Sequence, residues 1–181
     1  MNFLSKLTIL LAILILTSCA NNEEISLIKE INQEAEMVQA YKDGVEALEK
    51  NDTFFAANKF LEAELLYPQS EWASKSSLMA SYAYYIENNY SQAIYNLERF
   101  LKTYPKDKRL DYAYYLMGLC YYENIEGEKK DLKPLTEAKN KFSYVIDNYP
   151  NTDFALDSKF KLGLINDILA SKEMYLGRHY I

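Results

Sequence analysis

Apolar residues recur three and four positions apart along most of this chain, the spacing that gathers side chains onto one face of an α-helix. Ile28, Ile31, Ala35 and Val38 open the pattern in a stretch running from about residue 25 to residue 50. The same periodicity predicts helices over 54–67, 71–87 and 90–104 and another from just after Asp107 to Tyr122. One more begins at Pro134, where a proline suits the first helical turn. Asn51-Asp52-Thr53 interrupts the pattern with side-chain oxygens able to cap a helix start, and Asn88-Asn89 separates the next two helices. The break over 124–133 is longer and reads either as a tolerated surface loop or as a loop that touches a partner. After Pro150, the residues Phe154, Phe160, Leu164, Ile168 and Tyr175 carry the period on without a clear breaker.

These helices fall into a repeat. Ala93 and Leu97 stand twelve and eight residues before Pro105, and the same offsets give Ala56 and Phe60 before Pro68, then Ala138 and Phe142 before Pro150. A tyrosine precedes each proline. A small alanine lets two helices approach, the large residue four positions later lies on the same face, and proline ends the helix. The prolines are 37 and 45 residues apart, the period of a solenoid of helical hairpins. The fold expected is all-α: antiparallel hairpins in repeats of about 36–69, 70–106 and 107–151, plus the first helix of a fourth over 152–181. With no second arm for that hairpin, the sequence reads as a truncated solenoid whose last helix exposes one apolar row.

Composition narrows the function classes. The 181 residues are 49% hydrophobic and 14% aromatic, enough for the core of one domain without disulfides. Lys and Arg total 20 against 26 Asp and Glu, a net charge of −6 without a basic block, which argues against nucleic acid as a partner. Residues 1–18 read as a secretory signal. Lys6 supplies its positive charge, and the apolar run from Leu7 to Leu16 is too short for the ~20 residues that a membrane-spanning helix needs. Thr17 and Ser18 suit a cleavage site, and Cys19 follows them.

Catalytic chemistry finds little support. His179, the single histidine, has no neighbouring nucleophile, so neither a catalytic residue nor a metal site is assigned. Glycine-rich phosphate loops are missing, no cofactor is implied, and carboxylates alternate with lysines as on solvated helix faces. Cys120, set among Leu119, Tyr121 and Tyr122, reads as a buried thiol. The 17 tyrosines are the distinctive feature, concentrated on the first helices of the hairpins. A tyrosine ring buries area at little rotamer cost while its hydroxyl satisfies peptide groups, so a groove for extended chain is one use and packing between helices is another.

Two resemblances extend this reading. Leu16-Thr17-Ser18-Cys19 resembles a bacterial lipobox, which implies that Cys19 is acylated and becomes the first residue of a mature chain tethered through residues 19–24 to a helical domain over 25–181. Ala20, in place of an inner-membrane retention Asp, implies the outer membrane. The small residues Gly44, Ser81 and Gly118, with Tyr84 and Tyr121 three positions after the last two, resemble the tetratricopeptide repeat when added to the Ala, Phe and Pro positions. Asp43 departs from that pattern, which prefers an apolar residue there. The segments from Glu98 to Leu101, Asp111 to Leu119 and Tyr149 to Ala155, with the lengthened third turn, are similar to the BamD-like lipoproteins of the outer-membrane β-barrel assembly machine. This likeness runs in order over residues 16–181.

The likeness implies a non-enzymatic, lipid-anchored scaffold that faces the periplasm and helps insert unfolded outer membrane proteins. Its implied partners are the β-barrel insertase, the machine's other lipoproteins, the unfolded substrates, and the outer membrane through the acyl chains. The family has five repeats, so residues 174–181 correspond to the entrance of repeat four. The likeness also places Tyr41, Val45, Tyr82, Tyr85, Tyr115, Leu119 and Tyr122 in a peptide-binding groove on the concave side, and turns Tyr84, Tyr114 and Tyr121 toward the core. The competing function is a periplasmic lipoprotein adaptor that regulates peptidoglycan or other envelope enzymes.

Overall fold

A computed structural model describes residues 22–124 and 132–179, with side chains over 32–124, 132–174 and at Arg178. Among the described residues there are seven α-helices: α1 (Asn22–Glu49), α2 (Thr53–Leu66), α3 (Glu71–Ile86), α4 (Tyr90–Thr103), α5 (Leu110–Glu123), α6 (Lys133–Asn148) and α7 (Asp153–His179). Each helix packs on the next, and the first helices of successive hairpins also touch, α3 with α5 and α5 with α7. That is the solenoid expected from the repeat.

The turns form for local reasons. Asn51 and Asn88, in corresponding places after α1 and α3, both take φ 59°, a left-handed conformation that asparagine tolerates better than most residues. The Asp52 amide then donates to the Ala47 carbonyl and the Asn89 amide to the Tyr84 carbonyl, each at 2.9 Å, closing the helix end. Asp52 and Asn89 cap the next helix by accepting from the amides of Phe55 and Gln92. The second helices end alike, with Tyr67, Tyr104 and Tyr149 as C-caps outside the helical region, since the residue before a proline is pushed out of it. Pro134 sits in the first turn of α6, as its position predicts. Residues 125–131, which hold most of the expected third-turn insertion, lie outside the described residues.

Inside each hairpin a small residue on the first helix receives a large one from the second. Ala56, Phe60, Ala93, Leu97, Ala138 and Phe142 are all fully buried. A methyl group built on Gly44 would lie 2.8 Å from the Phe60 ring, and one on Gly118 would lie 2.8 Å from the Phe142 ring. Ser81 fills the same place in repeat two, where its hydroxyl donates to the Ser77 carbonyl at 3.0 Å. Asp43 leaves the first hairpin closed, since it accepts from Gln39 at 2.7 Å in a surface position beside Gly44.

The last helix leaves one apolar row at its surface. Phe160 is 65% exposed and Ile168 also lies at the surface, while Ala155, Ser158 and Ile165 are the fully buried positions of α7. Two apolar rows run along this helix, and the row of Ala155, Ser158 and Ile165 is the one that meets the preceding hairpin. Leu156 and Phe160 form the exposed row, and a methyl group built on Gly163, on the same face, would have nothing within 4 Å. Opposite effects of one substitution follow. Gly118→Ala lowers stability, because an overpacking cost of about 1–3 kcal/mol exceeds the gain in helix propensity. Gly163→Ala raises stability by about 0.5–1 kcal/mol, because only the propensity gain applies. Urea midpoints of the two variants moving in the same direction would contradict this packing.

Two polar networks tie the hairpins together. Glu64 of α2, 4% exposed, accepts both guanidinium nitrogens of Arg99 of α4, one at 2.7 Å, and the Tyr104 hydroxyl at 2.9 Å. Asn96 extends the network by donating to the Ser77 carbonyl and the Ser81 hydroxyl, both at 2.8 Å. Farther along, Arg109 donates to Asp107 at 2.8 Å and to the Ser74 hydroxyl at 2.7 Å, which pins the connection after α4 against α3. Hydrogen bonding to Arg109 holds the Asp107 carboxyl well below the usual carboxylate range.

Candidate functional site

The candidate site is the face made by the first helices α1, α3 and α5, closed at one end by α7. All seven groove residues expected from the sequence are half-buried there: Tyr41 and Val45 on α1, Tyr82 and Tyr85 on α3, Tyr115, Leu119 and Tyr122 on α5. Half-burial is what a ligand-contacting aromatic needs, since the ring is positioned by neighbours and one side stays open.

These residues form two groups. Tyr41 stands alone among the expected tyrosines, its ring edge-on to Phe60 at 5.3 Å and to Trp72 of α3 at 5.1 Å. Tyr82, Tyr85 and Tyr115 gather around Tyr112, whose hydroxyl is held by burial well above the usual phenol range, with the Tyr82 and Tyr85 hydroxyls acting in the same direction. Burial, and then the Glu123 carboxylate, also raises Tyr85, whose ring packs on Tyr90 at 5.9 Å. Tyr115 is the most committed of the group. Its hydroxyl donates to Asp157 of α7 at 2.7 Å, and its ring lies 6.0 Å from Phe142 and 5.2 Å from Phe154. Leu119 packs against the cores of the second and third hairpins alike. Tyr122 lies under the Lys161 ammonium of α7 at 5.2 Å.

The other tyrosines divide between core and flank. Tyr84 is buried, whereas Tyr114 and Tyr121 stay half-buried, and Tyr114 packs on Tyr144 at 4.1 Å. Burial pushes the Tyr114 hydroxyl up to about 12. Residues that sequence reasoning missed are Trp72, Lys75, Tyr112 and Asp157. The single tryptophan was a signal, as was its spacing of three from Lys75, but nothing local says that both face Tyr41 across a repeat boundary.

The chemistry of this face is adhesive. Cys120 is fully buried and burial pushes its thiol up to about 12, so it holds no thiolate at neutral pH. Among the described residues no group of three or more His, Cys, Asp or Glu side chains is placed to hold a metal ion, and no helix is long and apolar enough to cross a membrane. A crevice of about 320 Å³ lined by Asp43, Glu46, Ala47, Lys50, Asp52 and Phe55 lies at the α1–α2 turn, away from the tyrosines. The lipidation site expected at Cys19 and the side chain of His179 lie outside the described residues.

Helical hairpins stacked in register behind a face of aromatic first-helix residues define a tetratricopeptide-type solenoid. Solved tetratricopeptide domains share the architecture. The first such domain of Spaghetti (RPAP3) bound to an HSP90 peptide superposes with a TM-score of 0.58 at 15% identity, covering 76% of this chain and 95% of that one. The first such domain of human RPAP3 gives 0.58 at 17% identity, with the same coverage. Within that class, the chain belongs to the YfiO family of outer membrane lipoproteins, whose model matches residues 33–181. The outer membrane protein assembly factor BamD of Caulobacter vibrioides is 38% identical over 141 residues, covering 78% of this chain and 46% of the relative. The same factor of Rickettsia prowazekii is 34% identical over 147 residues, covering 81% and 59%, and that of Neisseria meningitidis serogroup A is 26% identical over 178 residues, covering 93% and 67%. The chain thus spans about half to two thirds of the length of these curated relatives.

Proposed function

We propose that this chain is a non-enzymatic scaffold of outer membrane protein assembly that receives unfolded substrate chains on its first-helix face. Family membership over residues 33–181, with relatives named as assembly factors, is the observation that carries the reading. The geometry supports it. Tyr82 and Tyr85 present ring and hydroxyl to an extended chain without a rearrangement of the helix that bears them, so little ordering cost opposes binding. Acylation of Cys19 would hold the solenoid at the outer membrane, facing the periplasm, within reach of the β-barrel insertase and the machine's other lipoproteins. Cys19→Ser removes the thiol that the lipid thioether requires.

The test is peptide binding. A fluorescent peptide copied from the last strand of an outer membrane barrel protein binds the parent chain, and Tyr82→Ala/Tyr85→Ala weakens it about tenfold or more while the far-ultraviolet circular dichroism stays unchanged. Tyr115 is left intact in that variant because its hydroxyl and ring also hold α7. Binding of the double variant at the parent's strength would mean that the Tyr82 and Tyr85 face does not receive the peptide.

A further inference from the structure

The outer side of α2 carries an apolar row that the other second helices lack. Phe54, Asn58, Leu61 and Leu65 stand four, three and four residues apart, on the side of the helix turned away from the buried Ala56, Phe60 and Ala63. Phe54 is 65% exposed and Leu65 78%, whereas Leu61 rests half-buried against the first core. No large apolar side chain among the described residues is more exposed than Leu65. The repeat supplies its own control. At the offsets from Pro105 and Pro150 that match Phe54, Leu61 and Leu65, α4 has Ser91, Glu98 and Lys102, and α6 has Thr136, Ser143 and Asp147. Those two hairpins close with polar residues at all the equivalent places, so folding does not require an apolar row on α2 and the row is free to bind.

We infer that this row is the contact between two copies of the chain, a two-fold antiparallel pairing of α2 with α2 of a second copy. The spacing points to a helix as the mate, because a four-three-four row is the seam that two amphipathic helices bury between them. Self-complementarity points to the same helix. In an antiparallel pair centred between Lys59 and Phe60, Phe54 lies level with Leu65 of the second copy and Asn58 with Leu61, and the two-fold axis repeats each contact. The rim matches in charge. Lys59 and Glu62, paired at 2.7 Å within one helix, stand on the open flank of the row, and the axis sets each Lys59 beside Glu62 of the other copy. A parallel pairing would instead bring Lys59 level with Lys59 and Glu62 with Glu62. The seam is two heptads long and buries less than the roughly 1,200 Å² of a standard interface, so the dimer is weak and reversible. It stands apart from the peptide groove, which lies on the first helices.

The experiment places one new cysteine per chain at either end of the row. Cys120 is fully buried and stays out of the reaction, and Cys19 is common to every variant and cancels from the comparison. Phe54→Cys and Leu65→Cys chains carrying different tags are made together in cells and oxidised mildly. They are expected to form a disulfide-linked dimer with each other about tenfold more than either does with itself. Like positions lie roughly 16 Å apart along the axis of the pair, and a disulfide spans no more than about 7 Å between Cα atoms. Sedimentation equilibrium gives a second readout. The parent is expected to self-associate with rising concentration, and Phe54→Ser/Leu65→Lys, which copies the residues of α4, should weaken that association about tenfold or more at unchanged helical content. Asn58→Leu should strengthen it, because the one polar layer of the seam becomes apolar. Linkage of Leu65→Cys chains to themselves as strong as to Phe54→Cys chains would overturn the antiparallel pairing. A parent that stays monomeric, or chains that link only to a different protein, would overturn the second copy as the occupant.

Discussion

Replacing Phe142 by alanine is expected to lower stability by about 3–5 kcal/mol, while the same change at Phe160 moves it by no more than about 0.5 kcal/mol. Both are phenylalanines on helices of one solenoid, and only position separates them. Phe142 is fully buried, its ring seated on Gly118 and packed with Leu135, Ala138 and Ile165 in the core shared by the third hairpin and α7. Truncation removes the transfer energy of a whole ring and leaves a hole that Gly118 has no side chain to fill. Phe160 occupies the place in its helix that Tyr115 has in α5, three residues before the small residue, yet no second helix covers it among the described residues. Urea denaturation at constant m-value measures the difference. Similar losses at both sites would mean that α7 is packed on its Leu156 and Phe160 side.

The second large effect concerns a charge. Glu64→Ala is expected to cost about 1.5–3 kcal/mol, since a nearly inaccessible carboxylate loses three donors at once and Arg99 and Tyr104 are left without their acceptor. The cost stays below that of a fully buried pair because Arg99 keeps about a third of its side chain in solvent. In the parent, burial, and then the bond to Glu64, pushes the Tyr104 hydroxyl above the usual phenol range, so it stays a donor to that carboxylate. Removing both charges as Glu64→Leu/Arg99→Met should recover most of the stability, because two apolar side chains of similar volume leave no orphaned ion. If the double variant is as unstable as the two single losses added together, the network contributes more than the avoidance of a buried unpaired charge.

The repeat was legible because it is steric. Ala93, Leu97 and Pro105 stand at offsets that only helix crossing and termination explain, and the same offsets recur twice. The cap at Asp52 was legible too, since it acts on an amide three residues away, and Asn89 acts in the same way at the next turn. What could not be read depends on partners distant in the chain. Glu64 looks like a surface carboxylate in its own helix, and Arg99, its partner, lies 35 residues on. The sequence pattern does not say which apolar row of α7 is buried, because Ile165 and Ile168 are equally apolar and only the approach of α5 and α6 beside Ala155 and Ser158 selects the row of Ile165. At the candidate site the seven groove positions came from family likeness, and the structure adds the aromatic and cationic side chains between them. Trp72 and Lys75 join that face only when α1 and α3 are brought side by side.

On the proposed reading, the first-helix face, and not the outer face of the second helices, meets unfolded outer membrane proteins. Site-specific photocrosslinking tests it most directly. A photoreactive amino acid placed at Leu119, half-buried on α5, or at Tyr95, on the outer side of α4, is irradiated in cells making a tagged outer membrane barrel protein. Adducts with the barrel protein are expected from position 119 and none above background from position 95. Adducts from position 95 alone, or equal yields from both, would contradict it.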